Sequence, residues 1–126
     1  MAMYDRLTTS IEKAVGIDQQ AITTPVNGAS ISLAGVVSLC WVFFCNAYTS
    51  GTMTFSIETY DGSSWTALPA KYVINGDISI TADNQVKSIG MSGLDLPANT
   101  HARLVTVGTV ELSGCALALI EKVDRA

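Results

Sequence analysis

Hydrophobic and polar residues alternate along much of this chain. Met53, Phe55 and Ile57 fall on one side of an extended backbone, and Thr54, Ser56 and Glu58 fall on the other. Ile78 and Ile80 share a side, with Ser79 and Thr81 opposite. A period of two marks strands with one face buried and one solvated. Turn signals separate the segments at Pro25-Val26-Asn27-Gly28, Ala34-Gly35, Asn46 to Gly51, Asp61-Gly62, Asn75-Gly76-Asp77, Asp83-Asn84, Ser92-Gly93 and Pro97 to Thr100. They recur mostly every 8 to 15 residues or so, which leaves no room for crossover helices and predicts an antiparallel sandwich or barrel.

Two segments are apolar on both faces. In Val36 to Asn46, Val37, Leu39, Trp41 and Phe43 alternate with Val36, Cys40, Val42 and Phe44. In Val110 to Val123, Cys115, Leu117 and Leu119 alternate with Ala116, Ala118 and Ile120. Strands of this kind lie centrally in a sheet or are covered by another chain. The first is too short to span a bilayer, which takes about 20 apolar residues as a helix. It reads as a central strand. In the second, the small face of Ala116 and Ala118 leaves two readings open: both faces lie inside one sandwich, or that face meets another subunit. Gly114 predicts a bulge or bend there.

The N-terminal segment carries the one helix signal. Thr9 and Glu12 have capping-box spacing, Leu7, Ile11 and Ala14 or Val15 share a helical face, and Gly16 is a natural stop. The expectation is a helix of two turns at most, or an arm that orders on a partner, over residues 1–16, followed by one domain over 17–126.

Composition narrows the class. The chain has 126 residues, 48% of them hydrophobic and only 14% charged, with a net charge of −4. A chain of this size buries enough surface for one core without staples. Its charged fraction is well below the ~25% of ordinary soluble domains, so surface buried on a partner is expected, together with a polar, uncharged exterior supplied by its many Thr, Ser, Asn and Gly residues. No Lys/Arg cluster exists to neutralise phosphates or lipid headgroups, so neither a nucleic acid nor a membrane is an expected partner. The N-terminus lacks the apolar core of a secretion signal, and synthesis in a cytoplasm is expected.

The candidate chemistry is sparse. Cys40 and Cys45 point to opposite faces of a strand about 16 Å apart, too far for a disulfide. With Cys115 they read as buried, inert thiols. The single histidine, His101, stands beside no cysteine pair, so no metal is expected. It reads as an exposed loop residue. No nucleophile elbow, phosphate loop or zinc-protease helix occurs, so neither enzymatic activity nor a cofactor is expected. Asp61, Asp77, Asp83 and Asp95 fall at turns, where aspartate bonds its own backbone, and a loop calcium site is the lesser alternative. Tyr60, Trp65 and Tyr72 flank a hairpin loop. They form either an aromatic ligand face, as in sugar-binding sandwiches, or a cross-strand packing cluster.

The order of features resembles a known family. A short arm leads to the Val26-Asn27-Gly28 turn, Ile31 to Leu33, a hydrophobic strand and the turn Thr49 to Thr52. Then come Phe55 to Thr59, the Asp61-Gly62 hairpin with Trp65, Gly93-Leu94 and Arg103 to Val107. This resembles the small β-sandwich head decoration, or cement, proteins of tailed bacteriophages. The resemblance implies a jelly-roll-like sandwich that forms a dimer or trimer on the exterior of the virion and ties major capsid proteins together. It implies no catalytic residues. By position, the arm and the C-terminal strand would be the binding elements, with Leu7, Ile11, Val15, Ala116, Ala118 and Ile120 as interface residues.

Overall fold

The computed structural model describes residues 7–74, 79–92 and 99–125. The turn at Asn75 to Asp77, Ile78, the Gly93-Leu94 and Asp95 region and residues 1–6 of the expected arm lie outside them.

Strands make up 73% of the described residues. They are β1 (Leu7–Ile22), β2 (Ile31–Ser32), β3 (Val36–Gly51), β4 (Met53–Tyr60), β5 (Trp65–Ala67), β6 (Val73–Ile74), β7 (Ser79–Ile80), β8 (Gln85–Ser92), β9 (His101–Val107) and β10 (Val110–Arg125). One turn of 3-10 helix, Ala70–Tyr72, precedes β6. One sheet, called A, runs β1-β10-β3-β8-β6. The other, B, runs β2-β9-β4-β5, with β7 also on β4. Every ladder is antiparallel. The molecule is an antiparallel β-sandwich.

The expected helix is a strand. Residues 7–22 pair with β10 from Leu7 opposite Arg125 to Ile22 opposite Leu112. The spacing misleads because Leu7, Ile11 and Val15 are four apart. Four is one helical turn, but it is also even, so the same residues share a strand face. A 16-residue partner strand decides between the two, since an isolated two-turn helix has too few hydrogen bonds to persist. Gly16 is therefore no helix stop. It sits where β1 slips register and lies against Trp41, whose Cδ1 would be 2.9 Å from a Cβ placed there.

The two doubly apolar segments are neighbours at the centre of sheet A. The inner face of β3 carries Leu39, Trp41, Phe43 and Cys45, all buried. In β10, Ala118 stands opposite Trp41, Ala116 opposite Phe43 and Gly114 opposite Cys45. Small residues thus face large rings across the ladder, and Ala116, Ala118 and Ile120 are buried in the core. This corrects the expectation that these three form a subunit interface. Their small size makes room for Trp41 and Phe43 rather than for a second chain. The expected irregularity at Gly114 is present, as a register shift after Ser113.

The core is filled by these rings and by Met53, Ile57, Leu104 and Ile80 from sheet B, with Phe43 and Phe55 ring centroids 4.9 Å apart. Strands β3 and β4 form one long arm, and β9 and β10 form another. The arms pair with each other on both sides of a corner, Val110 with Gly51 and Val107 with Thr54. There the ribbon crosses from sheet A to sheet B. Gly51 and Gly108 make the corner, with φ of +86° and +114°. A Cβ on either would meet the opposite arm's carbonyl oxygen, Thr109 at 2.2 Å or Thr52 at 2.5 Å. Both the conformation and the close approach require glycine.

The turns at Asp61-Gly62 and Asp83-Asn84 are where the sequence puts them. Gly62 has φ +103° and Asn84 +55°.

Candidate interaction surfaces

With one face of each sheet committed to the core, two outer faces remain, and the sequence equips them differently.

On sheet A, the outward positions form rows across the strands. Val15, Leu117, Val42 and Ser88 make one row, and Lys13, Leu119, Cys40 and Gly90 the next. Cys115, Phe44 and Val86 make a third. Val15 is 50% exposed, Phe44 38% and Val86 59%. A polar knot bounds the patch at one end, where Gln19 Nε2 donates to Asn46 Oδ1 (3.1 Å) and Ser113 Oγ (3.0 Å). At the other end Ser38 Oγ donates to Glu121 Oε1 (3.1 Å). A contiguous apolar patch with a polar rim is the usual form of a protein-binding surface.

The Cys40 thiol on this face is chemically quiet. Burial pushes Cys40 above its ordinary pKa, so it stays protonated at neutral pH. Cys45 points inward and is raised as well, first by burial and then by the Asp83 carboxylate. All three cysteines are free, and Cys40 and Cys45 lie on opposite faces of β3, as their odd spacing predicts.

Around Glu58 and Arg103 the outer face of sheet B is polar and closed on itself, with Val107 exposed near the corner. Glu58 and Arg103 are direct cross-strand partners. Arg103 Nε and Nη2 both donate to Glu58 Oε1, at 2.9 and 2.7 Å. The same guanidinium lies 4.2 Å from the Trp65 ring centroid. Tyr60 stands opposite both Trp65 and His101, with centroids 5.2 and 6.4 Å away. The structure thus brings Tyr60 and Trp65 together and leaves Tyr72 elsewhere, in the 3-10 turn, packed on the core with Lys71 over its ring. Arg103 occupies the Trp65 face on which a sugar ring would stack. His101 is the first residue of β9 rather than a loop residue, half-buried, with Nδ1 2.8 Å from Thr100 Oγ1.

The turn carboxylates serve the backbone. Asp61 Oδ1 accepts from Ser64 N–H and Ser63 N–H, and these bonds hold its carboxyl below the usual range. Asp83 Oδ1 accepts from Tyr48 N–H at 2.6 Å. Asp77 and Asp95 lie outside the described residues. Among the described residues, no three His, Cys, Asp or Glu side chains converge as a metal site would need. A cleft of about 400 Å³ opens beside β4, lined by Phe55, Ile57, Leu68, Val73 and Ile89 with Ser56. Among the described residues it presents one hydroxyl and no titratable group.

Among the described residues, no helix is long and apolar enough to cross a membrane.

The two packed antiparallel sheets place the chain among β-sandwich domains. No family model matches the sequence, and no curated protein matches it. Solved structures share the fold. The SPBc2 prophage-derived protein YomS superposes with a TM-score of 0.63 at 12% identity, over 91% of this chain and 96% of that one. A chain from infectious bursal disease virus, Gx strain, superposes with a TM-score of 0.53 at 10% identity, over 90% of this chain and 32% of that one. At these identities the likeness establishes the sandwich fold.

Proposed function

We propose that this chain is a non-enzymatic structural protein of a phage particle, a self-associating sandwich that binds the exterior of the capsid and stabilises it. The single observation that carries the reading is the rimmed apolar outer face of sheet A, centred on Leu117, Val42 and Phe44. A cement protein needs contact area and many copies and performs no reaction. Multiple weak contacts add through effective concentration once several copies are held on one lattice. The fold shared over 91% of this chain with a prophage-derived protein supports the setting, as does the resemblance in feature order. The major capsid protein is the partner in this reading, and the virion is its location.

The test is to mix purified protein with undecorated capsids of the encoding phage. Co-sedimentation and greater resistance of the shell to heat are the expected results. Absence of both removes the reading. Imaging that finds the protein on the tail instead assigns it to a tail connector or tube. Retention of the protein on a glycan array, lost in Trp65→Ala without loss of stability, supports a receptor-binding module.

A further inference from the structure

Strand β1 ends sheet A, and among the described residues no strand pairs with its outer edge along Leu7–Val15. Further along, β1 is interrupted by register shifts after Val15 and after Ile17, and the Gly16 carbonyl accepts the Ala29 N–H (2.8 Å). The second half of the strand is thus blunted, as sheet edges usually are. The first half is regular, contains no proline, and leaves a row of backbone donors and acceptors facing outward.

We propose that this edge pairs with the same edge of a second copy, antiparallel about a two-fold axis at Ile11, joining two five-stranded A sheets into one. The proposal rests on the self-association part of the reading above and not on capsid binding. The sequence around Ile11 is self-complementary in that register. Ile11 meets its own copy, and positions 7 and 15, Leu and Val, stand opposite each other. Thr9 is placed opposite Lys13, Ser10 opposite Glu12, and Thr8 opposite Ala14. Apolar positions therefore meet apolar ones, and no like charges oppose each other. Shifting the two-fold axis toward the C-terminus by one residue sets Glu12 against Glu12, and by two it sets Lys13 against Lys13, which is unfavourable directly across a ladder. Shifting it one residue toward the N-terminus sets Ile11 against Thr9 and Leu7 against Lys13, which breaks the apolar matches. Ile11 is 71% exposed and Val15 50% in the single chain, so the strand presents apolar side chains where the second copy would cover them. A two-fold axis perpendicular to the sheet also keeps both outer A faces on the same side, which doubles the apolar platform.

Sedimentation velocity across a concentration series, with Ile11→Lys and Ile11→Cys variants, tests this. The wild type is expected to move from 13.3 kDa toward twice that mass. Ile11→Lys sets two ammonium groups face to face and is expected to weaken association by at least about tenfold, with an unchanged circular dichroism spectrum. Under mild oxidation Ile11→Cys is expected to give a covalent dimer, whereas Val15→Cys alone gives none, because only position 11 meets itself. A wild type that stays monomeric overturns both self-association and the edge pairing. An oligomer that ignores Ile11→Lys, or equal cross-linking at 11 and 15, overturns the edge pairing alone. Should Ile11→Lys fail to fold, the cross-linking pattern decides.

Discussion

The two outer faces of this sandwich share one core and one kind of backbone, yet they use their side chains in opposite ways. On sheet B, Glu58 neutralises Arg103, Arg103 covers Trp65, and Tyr60 packs between Trp65 and His101. Each group there finds its partner within the chain. On sheet A, Val15, Phe44, Val86 and Leu119 project from long strands, and the polar contacts lie at the rim. The aromatic residues that look most like a binding site in the sequence are the ones the fold has already occupied. A surface is available for binding when its own neighbours leave it unfinished, and that is the condition of sheet A.

Substitutions in each region separate core, closed face and open face by the size of their effect. Trp41→Ala removes the ring on which Gly16 and Ala118 pack. It is expected to lower unfolding free energy by about 3–5 kcal/mol in a urea titration, whatever happens on either surface. The loss is moderated because the Trp41 Nε1 hydrogen finds no acceptor among the described residues, and burying it unpaired already costs roughly 1–3 kcal/mol. Trp65→Ala on the closed face is expected to cost about 1–2 kcal/mol, the sum of a cation–π contact and an aromatic cross-strand pair. Glu58→Gln is expected to cost less than about 1 kcal/mol in the same titration, with a smaller difference at high salt, because the Glu58–Arg103 pair is partly solvated. Val86→Ser on the open face, where Val86 is 59% exposed, is expected to change stability by no more than roughly 0.5 kcal/mol, as for other exposed substitutions.

The thiols give a further contrast of smaller size. The folded state raises Cys40 above its ordinary pKa by burial, so its thiolate fraction is reduced at neutral pH. Alkylation is expected to be slower than in the urea-unfolded chain and to gain on it only at higher pH. Equal rates at pH 7 would show that Cys40 is not shielded on the sheet.

Much of this architecture was legible in the sequence, and the misreadings are instructive. The stretch from Val36 to Asn46 is a central strand, as its apolar faces require, and Met53, Phe55 and Ile57 point inward as their alternation predicts. Asp61 bonds its own turn, as expected, whereas Asp83 accepts from the distant Tyr48 N–H. Two features were hidden for physical reasons. Periodicity shows that β10 has two apolar faces but not which one is inward. The missing signal is the match of small to large between segments, Ala118 to Trp41 and Ala116 to Phe43, which appears only once their pairing is known. The strand at Leu7–Val15 was hidden because a spacing of four suits a helix and a strand equally. Of the six residues read as an interface, Ala116, Ala118 and Ile120 are core. Ile11 and Val15 are at the surface, and Val15 shares the open face with Leu117, Leu119 and Phe44, which the sequence did not single out as an interface.

The most direct test compares the two faces in one binding assay. Wild type, Phe44→Glu and Trp65→Ala are sedimented with undecorated capsids at equal concentration, after confirming that each is folded. The apolar face of sheet A as the docking surface predicts that Phe44→Glu remains in the supernatant while Trp65→Ala pellets like the wild type. Loss of binding in Trp65→Ala with retention in Phe44→Glu would contradict the account and move the site to sheet B.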